Sequence, residues 1–132
     1  MEHPERIIQI NIVNWLRQKH PEIMFHANIS EQRSTPAWRN LQTQMGFRKG
    51  VADLFFPASS HIPIGRSTND VDNIKKEAYK GLWLELKSEN GKTTTEQLKF
   101  ISDMTKLGYC GYIAYGYDEA ERVIRWFYNL QD

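Results

Sequence analysis

Apolar residues recur at helical spacing in four stretches of the chain, and each stretch predicts an amphipathic helix. The first helix is predicted from about Pro4 to Lys19, because Pro21 follows it. The second is predicted to begin after Thr35, a good N-cap, and to end near Gly46. Their apolar stripes are Ile8, Ile12, Trp15 and Leu16 in the first helix and Trp38, Leu41 and Met45 in the second.

The other two predicted helices lie in the last third of the chain, and both show a capping-box pattern. Thr94-x-x-Gln97 is predicted to open the third helix, which Gly108 ends. Asp118-x-x-Glu121 is predicted to open the fourth. Their apolar stripes are Leu98, Ile101 and Thr105 in the third helix and Val123, Ile124, Phe127 and Leu130 in the fourth.

Shorter apolar runs between the helices predict four strands, which are IMFHANI, VADLFF, GLWLELK and YCGYIAYG. A polar stretch at about 57–80 separates the second strand from the third. We expect it to be an insertion or flap, with a short helix near 72–79. The order of elements predicts an α/β fold with a central, mixed β-sheet flanked by helices.

Composition narrows the class of protein further. A chain of 132 residues suits one domain, spanning 1–132. The net charge of +1 gives no general attraction to nucleic acid, so such a partner would need a local basic patch. The lone Cys110 excludes an intramolecular disulfide and a cysteine-rich zinc site. No signal peptide or membrane-spanning stretch is evident, so we expect a soluble, cytoplasmic protein.

Asp53 is a charged residue inside an apolar strand pattern. A buried carboxylate is costly unless it is paired or binds a metal. The simpler alternative is that Asp53 lies at the solvent end of its strand, or pairs with Arg48 or Lys49. On this pattern alone the two interpretations are equally good.

Glu85 and Lys87 raise the same question on the next strand. Alternation places Leu82, Leu84 and Leu86 on one face and the charged pair on the other. That second face is either solvated, as is common on antiparallel edge strands, or part of a site. Taken with Asp53, the pair favours a site, since two converging carboxylates suit Mg²⁺ or Mn²⁺ and a nearby lysine suits phosphate chemistry.

Longer runs around these residues resemble a known family. GVADLFF, WLELKSENGKTTTEQLKFI and GYCGYIAYGYDEAERVI closely resemble the VRR-NUC domain of the PD-(D/E)xK nuclease superfamily, and the similarity covers nearly the whole chain. The resemblance implies a restriction endonuclease-like core and a divalent-metal-dependent nuclease with no organic cofactor. Ala52 departs from the pattern, because the family usually has a proline there; that position shapes the turn rather than the chemistry.

The resemblance also implies a role for each residue of the motif. Asp53 and Glu85 would bind Mg²⁺ or Mn²⁺, helped by the backbone carbonyl of Leu86. Lys87 would orient the attacking water, and Gln97 matches the glutamine of the family. Gln97 could instead be only the N3 partner of a helix cap.

The first helix of the family offers a further acidic residue to the site, and Glu5 is the matching position here. Glu2 is a less well aligned rival. Alternatively, Glu5 is an ordinary first-turn acid that the helix dipole favours.

Basic residues on both sides of the acidic motif predict where DNA would lie, because phosphate contacts need such charges. A solvated surface is the alternative for all of them. They are Arg33, Arg39, Arg48 and Lys49 before the motif and Lys92 and Lys99 after it.

Two functions are consistent with this sequence. The first is a metal-dependent nuclease, and the second is a non-catalytic nucleic-acid-binding module on the same fold. A chain of this kind resembles small, often phage-encoded nucleases that dimerise on branched DNA such as four-way junctions. A homodimer acting on branched or duplex DNA is therefore expected.

Overall fold

A computed structural model of the chain describes residues 3–29, 35–60 and 78–131. None of the helices in these ranges is both long and apolar enough to cross a membrane. The predicted order of helices and strands is confirmed. The elements are α1 (His3–Lys19), β1 (His26–Ala27), α2 (Pro36–Gln44), β2 (Leu54–Phe56), β3 (Leu82–Lys87), α3 (Thr95–Lys106), β4 (Cys110–Tyr115) and α4 (Tyr117–Tyr128).

The four strands form one mixed sheet in the order β1-β2-β3-β4. β2 runs antiparallel to β1 and to β3, whereas β3 and β4 are parallel. A parallel pair needs a long crossover connection, and α3 supplies it here. β3 therefore has a neighbour on each side and is not an edge strand, and the predicted α/β class with a mixed sheet is confirmed.

One face of β3 is the centre of the hydrophobic core. Its three leucines have no exposed surface and pack against the apolar stripes of α1 and α4, as the sequence predicts. Burial of each such side chain contributes roughly 1.5–3 kcal/mol. This face therefore holds β3 in place. The core side chains involved are Leu82, Leu84 and Leu86 from β3, Ile12 and Leu16 from α1, and Val123, Ile124 and Phe127 from α4.

The opposite face of the sheet packs against α3 through aromatic residues. Phe55 and Trp83 are cross-strand partners and their rings stack at 4.2 Å between centroids. Phe100 of α3 meets Trp83 edge-on at 4.9 Å, and it is the buried residue of that helix. The stripe predicted for α3 is wrong at Leu98, which is 51% exposed, and at Thr105, which is also exposed, because Phe100 is the side chain that reaches the aromatic pair.

The caps of α2 agree with the prediction, but its apolar stripe does not. Thr35 accepts a hydrogen bond from the Trp38 backbone N–H, and Gly46 follows the helix with a φ of 102°. Trp38, Leu41 and Met45 are nevertheless all exposed. The reason is that α2 packs closely against none of the helices and strands in the described ranges.

The predicted capping box of α4 is wrong. Gly116 is the N-cap and makes no side-chain cap bond, so Asp118 lies in the first turn instead. Glu121 accepts hydrogen bonds from the Tyr117 hydroxyl and from Arg125. Its carboxylate is therefore engaged along the helix and not at the cap.

The ends of the polar insertion are tied together. The Ser60 backbone N–H donates to the Tyr79 carbonyl at 3.1 Å, and the Tyr79 N–H donates to the Ser60 hydroxyl at 2.9 Å. The predicted flap and its short helix fall mainly on 61–77, outside the described residues.

Candidate active site

The pairing of β2 with β3 brings two carboxylates together. Leu54 pairs with Leu84, and Phe55 with Trp83, so the same register places Asp53 opposite Glu85. Residues directly opposite in an antiparallel pair have Cβ atoms roughly 4.5–5.5 Å apart. The convergence of two carboxylates that the sequence suggests is thus a consequence of strand register.

Asp53 is held by the backbone of the neighbouring strand. Its Oδ2 accepts a hydrogen bond from the Leu86 N–H at 2.8 Å. Asp53 directly precedes β2, so this side-chain bond continues the hydrogen bonding between β2 and β3 by one residue. The alternative partners are engaged elsewhere, since Arg48 pairs with Asp103 and Lys49 with Glu96. The interpretation that Asp53 pairs with one of those two cations is therefore wrong.

Glu85 and Lys87 are buried, and their side of β3 is not a solvated face. Their exposed fractions are 3% and 5%. The Lys87 Nζ lies 3.7 Å from the Glu85 Oε2, so the lysine leans towards the carboxylate two residues before it. Charged side chains this deeply buried are rare unless they are paired or functional.

Burial raises the affinity of both carboxyls for protons. Burial, and secondarily the charge of Asp53, raises the pKa of Glu85 to about 8, although Lys87 opposes the rise. Burial also raises the pKa of Asp53, against the hydrogen bond from Leu86. Without a cation, the pair therefore tends to retain a proton near neutral pH.

Gln97 links the start of α3 to this pair. Its Oε1 accepts from the Thr94 N–H at 2.9 Å while the Thr94 hydroxyl accepts from the Gln97 N–H, which is a complete capping box. Its Nε2 donates to the Glu85 Oε2 at 3.0 Å. The two interpretations of Gln97 are therefore compatible, because the cap leaves the amide nitrogen directed at the carboxylate.

Glu5 of α1 is also brought to the site. It is buried, and its charge is one of the influences that raise the pKa of both Asp53 and Glu85. The turn after β3 packs against it, since a Cβ built on Gly91 would lie 3.1 Å from the Glu5 Oε1. Glu2, the rival position, lies outside the described residues.

A cleft of about 920 Å³ opens beside these residues, and Glu5, Asp53, Glu85 and Gln97 all line it. Its long wall is the face of α1 that carries Arg6, Gln9, Ile10, Val13, Asn14 and Arg17. The apolar stripe of α1 does not predict this wall, because the stripe lies on another face of the helix. The signal was the recurrence of polar and basic residues on the other face.

The basic residues predicted to contact DNA are mostly in ion pairs or absent from the lining of the cleft. Arg48 and Lys49 line it, but each is in an ion pair with an acid of α3. Lys99 pairs with Asp103 at 3.3 Å, and the two salt-bridge partners lower the pKa of that carboxyl. Arg39 and Lys92 are exposed and do not line the cleft, and Arg33 lies outside the described residues. Their contact with DNA stays a prediction.

The donor set suits a hard divalent cation. Across the described ranges, no group of three or more His, Cys, Asp or Glu side chains is arranged to hold a metal by itself. Mg²⁺ needs no such group, because it keeps several waters and binds through one or two carboxylates plus substrate phosphate. Asp53 and Glu85, with the adjacent Leu86 carbonyl, fit that mode.

The mixed sheet, its flanking helices and the buried cluster of two carboxylates and a lysine define an α/β domain of the restriction endonuclease-like class. A solved structure described as a VRR_NUC domain protein is similar to this chain with a TM-score of 0.69 and 25% sequence identity. The similarity covers 100% of this chain and 93% of that one. It confirms the predicted resemblance to the VRR-NUC domain, which implies a family of nucleases. No family model and no curated protein matches the sequence.

Proposed function

We propose that this protein is a divalent-metal-dependent nuclease that hydrolyses DNA phosphodiester bonds. The observation that carries the proposal is the burial of Glu85 and Lys87 next to a cleft that Glu85 and Asp53 line. Stability alone does not favour this arrangement, because buried ionisable groups usually cost more than apolar residues of similar size. The similarity to a VRR_NUC domain protein supports the same function.

Asp53, Glu85 and the Leu86 carbonyl would hold Mg²⁺ or Mn²⁺. The raised pKa values of the two carboxyls support this, because they express mainly the cost of burying negative charge, which a bound cation would offset. At such a site the bound cation supplies activation of a water molecule and stabilisation of charge on the phosphate.

The protein side chains would position the reactants. The Lys87 ammonium lies beside Glu85 and would hold the attacking water or offset the charge that develops on the phosphate. Gln97 would keep the Glu85 carboxylate in one orientation, since its own amide is held by the helix cap. Glu5 would add an acidic group at the margin of the site.

We further propose that the substrate is branched DNA such as a four-way junction, and that the protein acts as a homodimer. Two symmetric sites would allow paired cuts across a two-fold junction. Sedimentation of the protein with a four-way junction, without metal so that the junction stays uncut, tests the stoichiometry. If a single monomer binds the junction and the same junction is cleaved when metal is added, the dimer is contradicted.

The nuclease function is tested with a panel of labelled four-way junction, flap, single-stranded and duplex DNA, each with Mg²⁺, Mn²⁺ or EDTA. The wild type should cleave at least one of them with metal only. Lys87→Ala should lower the rate by roughly 10²–10³-fold, the usual effect of losing one group that stabilises transition-state charge.

Lys106→Ala is the matched control, because Lys106 is an exposed lysine in the last turn of α3 and does not line the cleft. Its rate should equal that of the wild type. The proposal fails if the wild type cuts no DNA with either metal, or if Lys87→Ala cuts as fast as wild type.

A further inference from the structure

The basic side chains that line the cleft fall into two groups. Arg48 and Lys49, between α2 and β2, form ion pairs of 2.8 and 3.9 Å with acidic residues of α3. Arg6 and Arg17, both on α1, are exposed and have no acidic partner among the described residues. Within the described ranges, the unpaired positive charge of the cleft is therefore on α1.

The two arginines are aligned along the helix. They are eleven residues apart, which is close to three full turns, so both side chains leave α1 on the same face and about 16 Å apart along its axis. The site lies near the Arg6 end, since Glu5 is the neighbouring residue. A line along the cleft from the site thus passes one guanidinium at each end of α1.

The surface between the arginines combines apolar side chains with the amides of Gln9 and Asn14. Ile10 and Val13 of α1 line the cleft there, and Phe47, 41% exposed, also lines the cleft. Cationic ends with apolar and amide side chains between them match a nucleic-acid strand, which offers phosphates at regular intervals and, between them, flat apolar surfaces and hydrogen-bonding groups of sugar and base.

We propose that α1 is the wall on which the substrate strand lies, with Arg6 and Arg17 each contacting a phosphate. This inference rests on the proposed nuclease function and names the surface that would bring the strand to the site. At about 3.4 Å per nucleotide along one strand of a duplex, the distance between the arginines spans about five nucleotides. The basic patch predicted from the sequence would then contribute less to DNA binding than α1 does.

The test is the salt dependence of DNA binding. The wild type, Arg6→Gln, Arg17→Gln and the double variant are titrated against labelled DNA in EDTA by fluorescence anisotropy, between about 50 and 200 mM salt. Arg122→Gln is the matched control, because Arg122 is an exposed arginine of α4 that does not line the cleft. Thermal melts confirm that each variant is folded.

Each cleft substitution should reduce the slope of log K against log salt by roughly 0.7–0.9, and the double variant by about twice as much. Over a fourfold change in salt, the wild type should then lose roughly 7- to 12-fold more affinity than the double variant. Arg122→Gln should keep the wild-type slope. In cleavage assays the double variant should raise KM and leave kcat almost unchanged.

The inference is overturned if the double variant keeps the wild-type slope, or if Arg122→Gln lowers the slope equally. If the wild type cleaves DNA in either of those cases, the nuclease function stands and only the role of α1 is wrong. If the wild type neither binds nor cleaves DNA, the nuclease function fails and the role of α1 fails with it.

Discussion

Replacing Glu85 by glutamine should make the stability of the metal-free protein less dependent on pH. Glutamine keeps the size of the side chain and cannot ionise, so it imitates the protonated Glu85. The pKa of Glu85 is raised in the folded state from 4.5 to about 8. Below pH 4.5 the carboxyl is neutral in the folded and the unfolded chain alike, and glutamine then changes little.

As the pH rises from 4.5 to about 8, the unfolded chain loses this proton and the folded chain retains it. The free energy of unfolding therefore falls across this window, by at most about 1.4 kcal/mol per pH unit. The whole rise in pKa corresponds to at most about 5 kcal/mol of unfolding free energy. Solvent screening reduces this figure little, because the side chain is almost fully buried. At pH 8 we expect Glu85→Gln to be more stable than the wild type by a few kcal/mol.

The measurement is urea unfolding followed by circular dichroism, in EDTA, across this pH range. Glu89→Gln is the control, since Glu89 is an exposed carboxylate on the turn after β3. Parallel pH curves for the wild type and Glu85→Gln would refute the reasoning, because they would mean that Glu85 has an ordinary pKa. An equal effect of Glu89→Gln would refute it as well.

The wild type and Glu85→Gln also test whether a divalent cation binds at Glu85. At pH 8, Mg²⁺ or Mn²⁺ should raise the stability of the wild type, by about 2.7 kcal/mol when the cation is at a hundred times its dissociation constant. Glu85→Gln should gain much less, because it has lost one of the two carboxylate ligands. Equal gains in both proteins would place the cation elsewhere.

Two further predictions concern α3. Gln97→Glu should keep the capping box but replace the hydrogen bond to Glu85 by two facing carboxylates, so it should cleave DNA at least about tenfold more slowly and lose stability as the pH rises. Gln97→Ala should lose both, with about 1 kcal/mol of stability. Cleavage rates and urea unfolding of both variants test these expectations, and a fully active Gln97→Glu would contradict the role of the amide. Gly50→Ala should cost about 1–3 kcal/mol more than Gly46→Ala in the same unfolding assay. Both glycines have positive φ, but only the Cβ at Gly50 would meet another backbone, 2.6 Å from the Glu96 carbonyl carbon. Equal losses would mean that this contact relaxes without cost.

The sequence by itself determined the helices and the identity of the candidate site residues. Helix periodicity and caps are local properties, so α1, the Thr94–Gln97 capping box and the stop at Gly108 could be predicted from neighbouring residues. The motif residues could be named because the resemblance to the VRR-NUC domain depends on residue types and spacing. A local pattern does not show which elements pack on a helix, however. For this reason the apolar stripe predicted for α2 is exposed in the structure.

Only the tertiary structure decided how the site is assembled. Asp53 lies opposite Glu85 because of a strand register that joins residues far apart in the chain, and no local pattern encodes that register. The charged face of β3 is buried because α3 and the aromatic layer cover its side of the sheet. Whether a basic side chain is in an ion pair likewise depends on residues far away in the sequence. Arg48 pairs with Asp103 of α3, while Arg6 and Arg17 face the cleft. Local sequence specifies conformation and chemistry, whereas burial, register and pairing are set by contacts between residues that the chain brings together only when it folds.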